Sequence, residues 1–162
     1  MKSTFLLLAA LVISSSGRSQ NQNDELSVKQ AVNAWFNSFN KHDYSDYPNY
    51  TSETCYGINP LGAHGKRTSE TPALYNKAHE TLLKNVTINV DSMSIQFIRP
   101  DVAIATVFST QKGALNIPEG MDKNIFDCAS DKLISTMVTV KLNNKWLITH
   151  YQNAYNFIQA TR

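Results

Sequence analysis

Only two of the 162 residues are cysteine, Cys55 and Cys128, and neither has the close Cys, His or acidic neighbours that a zinc site or an activated thiolate needs. The four histidines, His42, His64, His79 and His150, show no His-x-His or His-Glu-x-x-His spacing, so no metal site is expected. The chain also lacks a glycine-rich phosphate loop, a dinucleotide fingerprint and a serine nucleophile elbow, and no cofactor is expected. Charge of one sign is scarce. The 15 basic and 13 acidic residues leave a net charge of +2, spread without a run or stripe. That argues against nucleic acid as a partner, because phosphate binding needs clustered Lys and Arg. Internal repeats and low-complexity tracts are missing too. A composition of 42% hydrophobic and 17% charged residues fits one globular domain, with no room for two.

Long apolar runs are equally scarce. The one from Phe5 to Ile13 follows Lys2 and gives way to small polar residues. It is too short to span a bilayer, so residues 1–20 are expected to be a secretion signal peptide, cleaved near Ser19 or Gln20. The bland alternative is a frayed N-terminal helix, but nothing amphipathic is visible there. No Cys lies near the end of the run, so no stable membrane anchor is expected. Residues 21–162 are then a single domain, exported to the periplasm or secreted. In an oxidising compartment Cys55 and Cys128 have two readings. They form a disulfide, whose large loop would stabilise by roughly 3 to 4 kcal/mol, or they are two buried free thiols. Asn49-Tyr50-Thr51 and Asn85-Val86-Thr87 match the glycosylation triplet, which matters only in a eukaryotic secretory host.

Within the domain, Asn23 or Asp24 can cap a helix running to about Asn40, with Leu26, Val32, Trp35, Phe36 and Phe39 at three- and four-residue spacings. His42 sits at its end, where the dipole favours a cation. Asp43 can cap a second helix through about Tyr50, kinked or cut to one turn by Pro48. Residues 54–59 read as a short strand and residues 60–65 as a turn. Thr68 or Ser69 then caps a third helix, with Glu70 and Pro72 in its first turn and Leu74, Tyr75, Ala78, Leu82 and Leu83 on its inner face. From Asn85 the period becomes two. Val86, Ile88 and Val90 alternate with polar residues, Met93, Ile95 and Phe97 follow, Arg99-Pro100-Asp101 makes a turn, and residues 102–108 are β-rich. Residues 113–131 read as a long connection. The chain closes on a hairpin of residues 133–142 and 145–157, turned by Asn143-Asn144, both of which tolerate positive φ. Strict alternation puts Trp146, Ile148, His150 and Gln152 on one face of the last strand, and Leu147, Thr149, Tyr151 and Asn153 on the other. The fold class is therefore α+β, three N-terminal helices packed on one face of a curved, mostly antiparallel sheet.

This order of elements, with Asn59-Pro60-Leu61-Gly62 closing the first strand, Gly65 ahead of the third helix, Pro100-Asp101-Val102-Ala103 opening a strand and Trp146-Leu147-Ile148 in the last, resembles the nuclear transport factor 2-like superfamily, in particular its SnoaL-like and SgcJ/EcaC-like small proteins. The resemblance implies a cone-shaped half-barrel enclosing an apolar pocket and a homodimer through the outer face of the sheet. Ketosteroid isomerase, a member, uses an Asp before that Pro as general base and a Tyr on the first helix as oxyanion donor. Here the matching positions hold Asn59 and Trp35, and the second oxyanion acid falls near Val138. An amide accepts no proton near neutral pH, and indole is a poor substitute for a phenol, so the steroid-isomerase acid–base set is absent.

Two functions follow, with a third behind them. The first is a binding domain holding a small apolar or amphipathic molecule, with Trp35, Tyr56, Asn59, His64, His79, Phe97, Trp146 and Gln152 as pocket residues. The second is a small isomerase, lyase or oxidoreductase with His150 as acid–base residue, paired with Tyr56 or Asp91, and with Asn59 and Gln152 orienting the substrate. The third is a cone filled by its own side chains, acting through its sheet surface. The aromatic residues serve equally as core, and the histidines equally as hydrogen-bonded structural groups.

Overall fold

The computed structural model describes residues 4–66, 69–117, 119–120 and 131–156, with side chains from Gln22 onward other than that of Lys66. Helix α1 spans Thr4–Lys41. Its residues Val28, Ala31, Val32, Trp35, Phe36 and Phe39 recur every three or four positions and are all buried, forming the stripe that lies on the sheet. The helix starts well before the expected cap. Asp24 sits inside it, where its carboxylate accepts hydrogen bonds from Lys141 Nζ at 2.6 Å and Trp146 Nε1 at 2.9 Å, clasping the helix to the closing hairpin. The Lys141 bond, then that of Trp146, holds the Asp24 carboxyl below the usual carboxylate range. At the other end His42 takes φ 54, with His42 N–H donating to Phe39 O and Asp43 N–H to Ser38 O, the paired bonds of a Schellman cap.

Helix α2, Tyr47–Tyr50, is the single turn that Pro48 allows, and Asp43 caps the Ser45 N–H of the preceding bend rather than the helix itself. Strand β1 is Thr51–Ile58, three residues longer at its start than expected, and the turn after it leads into an unexpected short strand β2, His64–Lys66. Helix α3 is Thr71–Glu80. The alternating segments after Asn85 are one long strand, β3, Thr87–Arg99, followed by β4, Val102–Lys112. The hairpin of β5, Lys132–Leu142, and β6, Lys145–Tyr155, turns through Asn143 at φ 50 and Asn144 at φ 61, as the two asparagines predict.

The six strands form one sheet in the order β2-β1-β6-β5-β4-β3. Only β1 and β6 run parallel. The α+β expectation holds: helices cover one face of a curved, unclosed, mostly antiparallel sheet. The core lies between α1 and the inner sheet face, where Ala103, Ala105 and Val107 of β4, Leu133 and Met137 of β5, and Trp146, Ile148 and Tyr151 of β6 are buried. Cys55 is a free, buried thiol. Cys128 and most of the expected long connection lie outside the described residues.

Candidate ligand-binding cavity

Inward-facing residues alternate along β6 only as far as Ile148. There the register slips: Ile148 pairs with Thr139 and His150 with Val138, which leaves Thr149 as an extra, bulged residue. A one-residue slip exchanges the faces of everything beyond it. Tyr151, Asn153 and Tyr155 therefore join Trp146 and Ile148 on the inner side, while His150 and Gln152 turn to the outer side. This corrects the strict alternation expected for the strand.

Beyond the bulge the inner side opens into a cavity of about 340 Å³. Trp35 and Phe39 of α1 form one wall and Leu74, Tyr75 and Ala78 of α3 another; Leu133, Ser135, Tyr151, Asn153 and Tyr155 supply the sheet side, and Asn59 to Gly65 the rim. Tyr151 reaches its place because β1 carries glycine beside it. A Cβ on Gly57 would lie 2.1 Å from the Tyr151 ring.

The cavity's polar groups are mostly hydroxyls and side-chain amides, with the His64 imidazole at the rim. The Tyr75 and Tyr151 hydroxyls are 3.1 Å apart, and Tyr151 extends the chain to the Tyr47 hydroxyl at 3.5 Å and from there to Cys55 Sγ at 3.8 Å. Burial is the main cause that pushes all three phenols well above their ordinary range, and it pushes the Cys55 thiol up to about 11. They are hydrogen-bond donors near neutral pH, not bases. No Asp, Glu, Lys, Arg or Cys is among the described residues bordering the cavity. On two of the residues that border it, Trp35 Nε1 and Asn153 Oδ1 are buried without a hydrogen-bond partner.

Of the residues expected at the site, Trp35, Asn59 and His64 border the cavity. Asn59 is already engaged, its Oδ1 accepting from the N–H groups of Leu61 and Ala63, so it shapes the rim turn. The His64 ring packs beside Tyr56, centroids 5.6 Å apart. Tyr56, His150 and Gln152 do not border the cavity: Tyr56 and His150 stack at 5.6 Å and 12°, and Gln152 is exposed in register with Thr136. Asp91 is remote from both, exposed and accepting from the Thr110 hydroxyl at 2.6 Å. His79 lies behind the α3 wall. Its Nε2 meets the Tyr44 hydroxyl at 2.9 Å and its ring stacks on His42 at 4.0 Å. Desolvation first, and the neighbouring His42 second, lower its pKa to about 4, so it is a neutral structural imidazole near pH 7. Phe97 and Trp146 are core at the far end of α1, edge to face at 5.7 Å and next to Asp24.

A larger groove of about 520 Å³ runs between α1 and the tip of the hairpin, bordered by Lys41, Asp43, Asp46 and Lys145 among others. Its mixed charge suits solvent, and the cavity with its largely apolar, aromatic walls is the better ligand site.

No family model and no curated protein matches the sequence. Solved structures do resemble it. A protein with a cystatin-like fold from Caulobacter vibrioides superposes with a TM-score of 0.70 at 18% identity, covering 83% of this chain and 92% of its own. A nuclear transport factor 2-like superfamily protein from Salmonella enterica gives 0.65 at 16% identity, covering 83% and 92%. A ketosteroid isomerase-like protein from Shewanella frigidimarina gives 0.61 at 19% identity, covering 79% and 94%.

Proposed function

Taking as premise that this chain has the nuclear transport factor 2-like fold, we propose that it is an exported small-ligand-binding domain, dimeric through the outer sheet face, that holds an apolar or amphipathic molecule in its cone. The observation that carries this reading is the cavity with its largely apolar, aromatic walls. At about 340 Å³ it lies within the roughly 300–1,000 Å³ range of small-molecule sites, and it offers aromatic walls with a few polar groups and, among the described residues, no Asp, Glu, Lys or Arg. Such a site holds a ligand without a carboxylate base, and the His64 ring at its rim packs beside Tyr56. The two positions where a steroid isomerase holds its base and first-helix oxyanion donor are here Asn59, tied into the rim, and Trp35. An enzymatic role for His150 would have to act from the outer face beside Tyr56, away from the cavity.

The lipophilic stretch at residues 5–13 supports export, and no helix among the described residues is long and apolar enough to cross a membrane. Dimerisation is supported by the outer face, where Ile104, Phe108, Ile134, Val138 and Val140 alternate with the buried inner residues of β4 and β5.

A thermal-shift screen against steroids, aromatic polyketides, fatty acids and small phenols tests the reading. A ligand at a hundred times its dissociation constant stabilises the fold by about 2.7 kcal/mol, which raises Tm. The expected outcome is at least one such ligand whose binding also changes the Trp35 fluorescence. Silence of both readouts across the library would leave the cone as a scaffold acting through its surface.

A further inference from the structure

His79 belongs to α3, the helix whose Leu74, Tyr75 and Ala78 wall the cavity, and it packs behind that wall. Its ring is 4% exposed and meets three other rings. Phe39 approaches it edge to face at 4.6 Å, the Tyr44 hydroxyl lies 2.9 Å from Nε2, and the exposed His42 ring stacks on it at 4.0 Å and 22°. Two of these contacts lead straight to the cavity. Phe39 lines it, and the Tyr44 ring stacks at 4.9 Å on Tyr75, which also lines it and whose hydroxyl is 3.1 Å from that of Tyr151. The placing of the α3 wall and the packing of His79 therefore depend on the same few rings.

That packing suits a neutral imidazole. A proton on His79 creates a charge that water barely reaches, and no Asp or Glu among the described residues forms an ion pair with it. The groups that face the ring are His42 from the end of α1, the Tyr44 hydroxyl from the bend after it, and the Leu83 backbone from the turn after α3. Leu83 favours the protonated ring, but burial first and His42 second outweigh it and lower the pKa to about 4. We propose that the His42–His79–Tyr44 cluster is an acid-sensitive latch on the cavity: protonation of His79 drives its ring toward water, draws α3 away from the Tyr75–Tyr151 contact and releases the bound molecule. The inference rests on the binding reading above and adds its regulation. The ligand binds the closed wall and the proton prefers the open one, so each weakens the other. Affinity is full above about pH 6.5, where a solvated imidazole is neutral as well, and falls as the pH drops toward 4.

The test titrates the full chain with the uncharged dye N-phenyl-1-naphthylamine between about pH 6.5 and 4, and follows amide hydrogen exchange, as protection factors, over the same range. Dye affinity is expected to fall about tenfold, with the α3 amides losing protection before those of β4 and β5. His79→Gln, which lies outside the cavity lining and keeps a hydrogen-bonding group near Tyr44, should abolish both changes and retain dye affinity at the upper pH. His42→Asn, whose side chain tolerates the φ of 54 at that position, removes the facing imidazole and should make the fall smaller. A constant affinity, an equal fall in His79→Gln, or loss of protection in α3 and the core strands together, which is global unfolding, would overturn the latch and leave the binding reading. A dye that fails to bind at the upper pH counts against the binding reading, and the order of exchange then decides the latch by itself. That order in the unaltered protein, with His42→Asn, also decides it if His79→Gln does not fold.

Discussion

Gly57 and Tyr151 show how much one missing methyl group decides. The ring occupies the space a Cβ on β1 would take, and its hydroxyl then reaches Tyr75 at 3.1 Å. Gly57→Ala must push the ring aside. It is expected to cost roughly 1 to 3 kcal/mol, as overpacking does, and to weaken ligand binding with it. Urea unfolding reads the first effect and the fluorescence titration the second; an unchanged midpoint would mean that the ring has room to move. His79 gives the pH prediction. Its folded-state pKa, about 4, lies below the ordinary imidazole value, so protonation favours the unfolded chain. Stability is complete above about pH 6.5 and is lost as the pH falls toward 4. Asp24 and Asp43, whose carboxyls are held low, add their own loss only below that window. In His79→Gln the fall in Tm between pH 6.5 and 4 should flatten. At this scale the sequence named Trp35 and Asn59 for the site, but it could not show that Asn59 spends its oxygen on its own turn or that the His79 ring is walled off by Tyr44 and His42.

The elements were more legible than the residues, and the reason is local. Asn143-Asn144 is a turn signal written in two residues, and both take the left-handed φ it demands. A β-branched residue at the second position should therefore cost about 1 to 2 kcal/mol. Asn144→Val is expected to lower the urea midpoint by that amount, and a neutral outcome would show that the hairpin is held by β5–β6 pairing alone. The phase of a strand is a different kind of quantity. On β3 the inner residues pass from Ile88 to Met93, Ile95 and Phe97, with the register shift between Val90 and Ser92. On β6 they pass from Ile148 to Tyr151. In both strands an odd spacing between apolar residues marks the change of face. That signal is present in the sequence, in Ile148 and Tyr151 three apart, but polar neighbours of ambiguous preference mask it, and alternation read straight through put His150 and Gln152 on the wrong side.

The whole molecule presents a concave face covered by helices and an outer face of alternating apolar residues. The dimer proposal belongs at this scale. Val138 lies at the middle of the outer face, in register with Ile104 on one side and His150 on the other. Val138→Lys should convert a dimer into a monomer in light scattering while leaving the cavity ligand bound, because the substitution is on the far side of the sheet from Tyr151 and Asn153. A monomeric unaltered protein would remove the sheet face from the account. By itself the sequence determined the class of fold, the order of its main elements and the closing turn, because three- and four-residue apolar spacing, alternation and turn chemistry are properties of neighbours along the chain. Only the tertiary structure decided which residues meet at the cavity, since Gly57 beneath Tyr151 and Trp35 packed on Tyr151 are contacts between distant segments, and no local pattern records them.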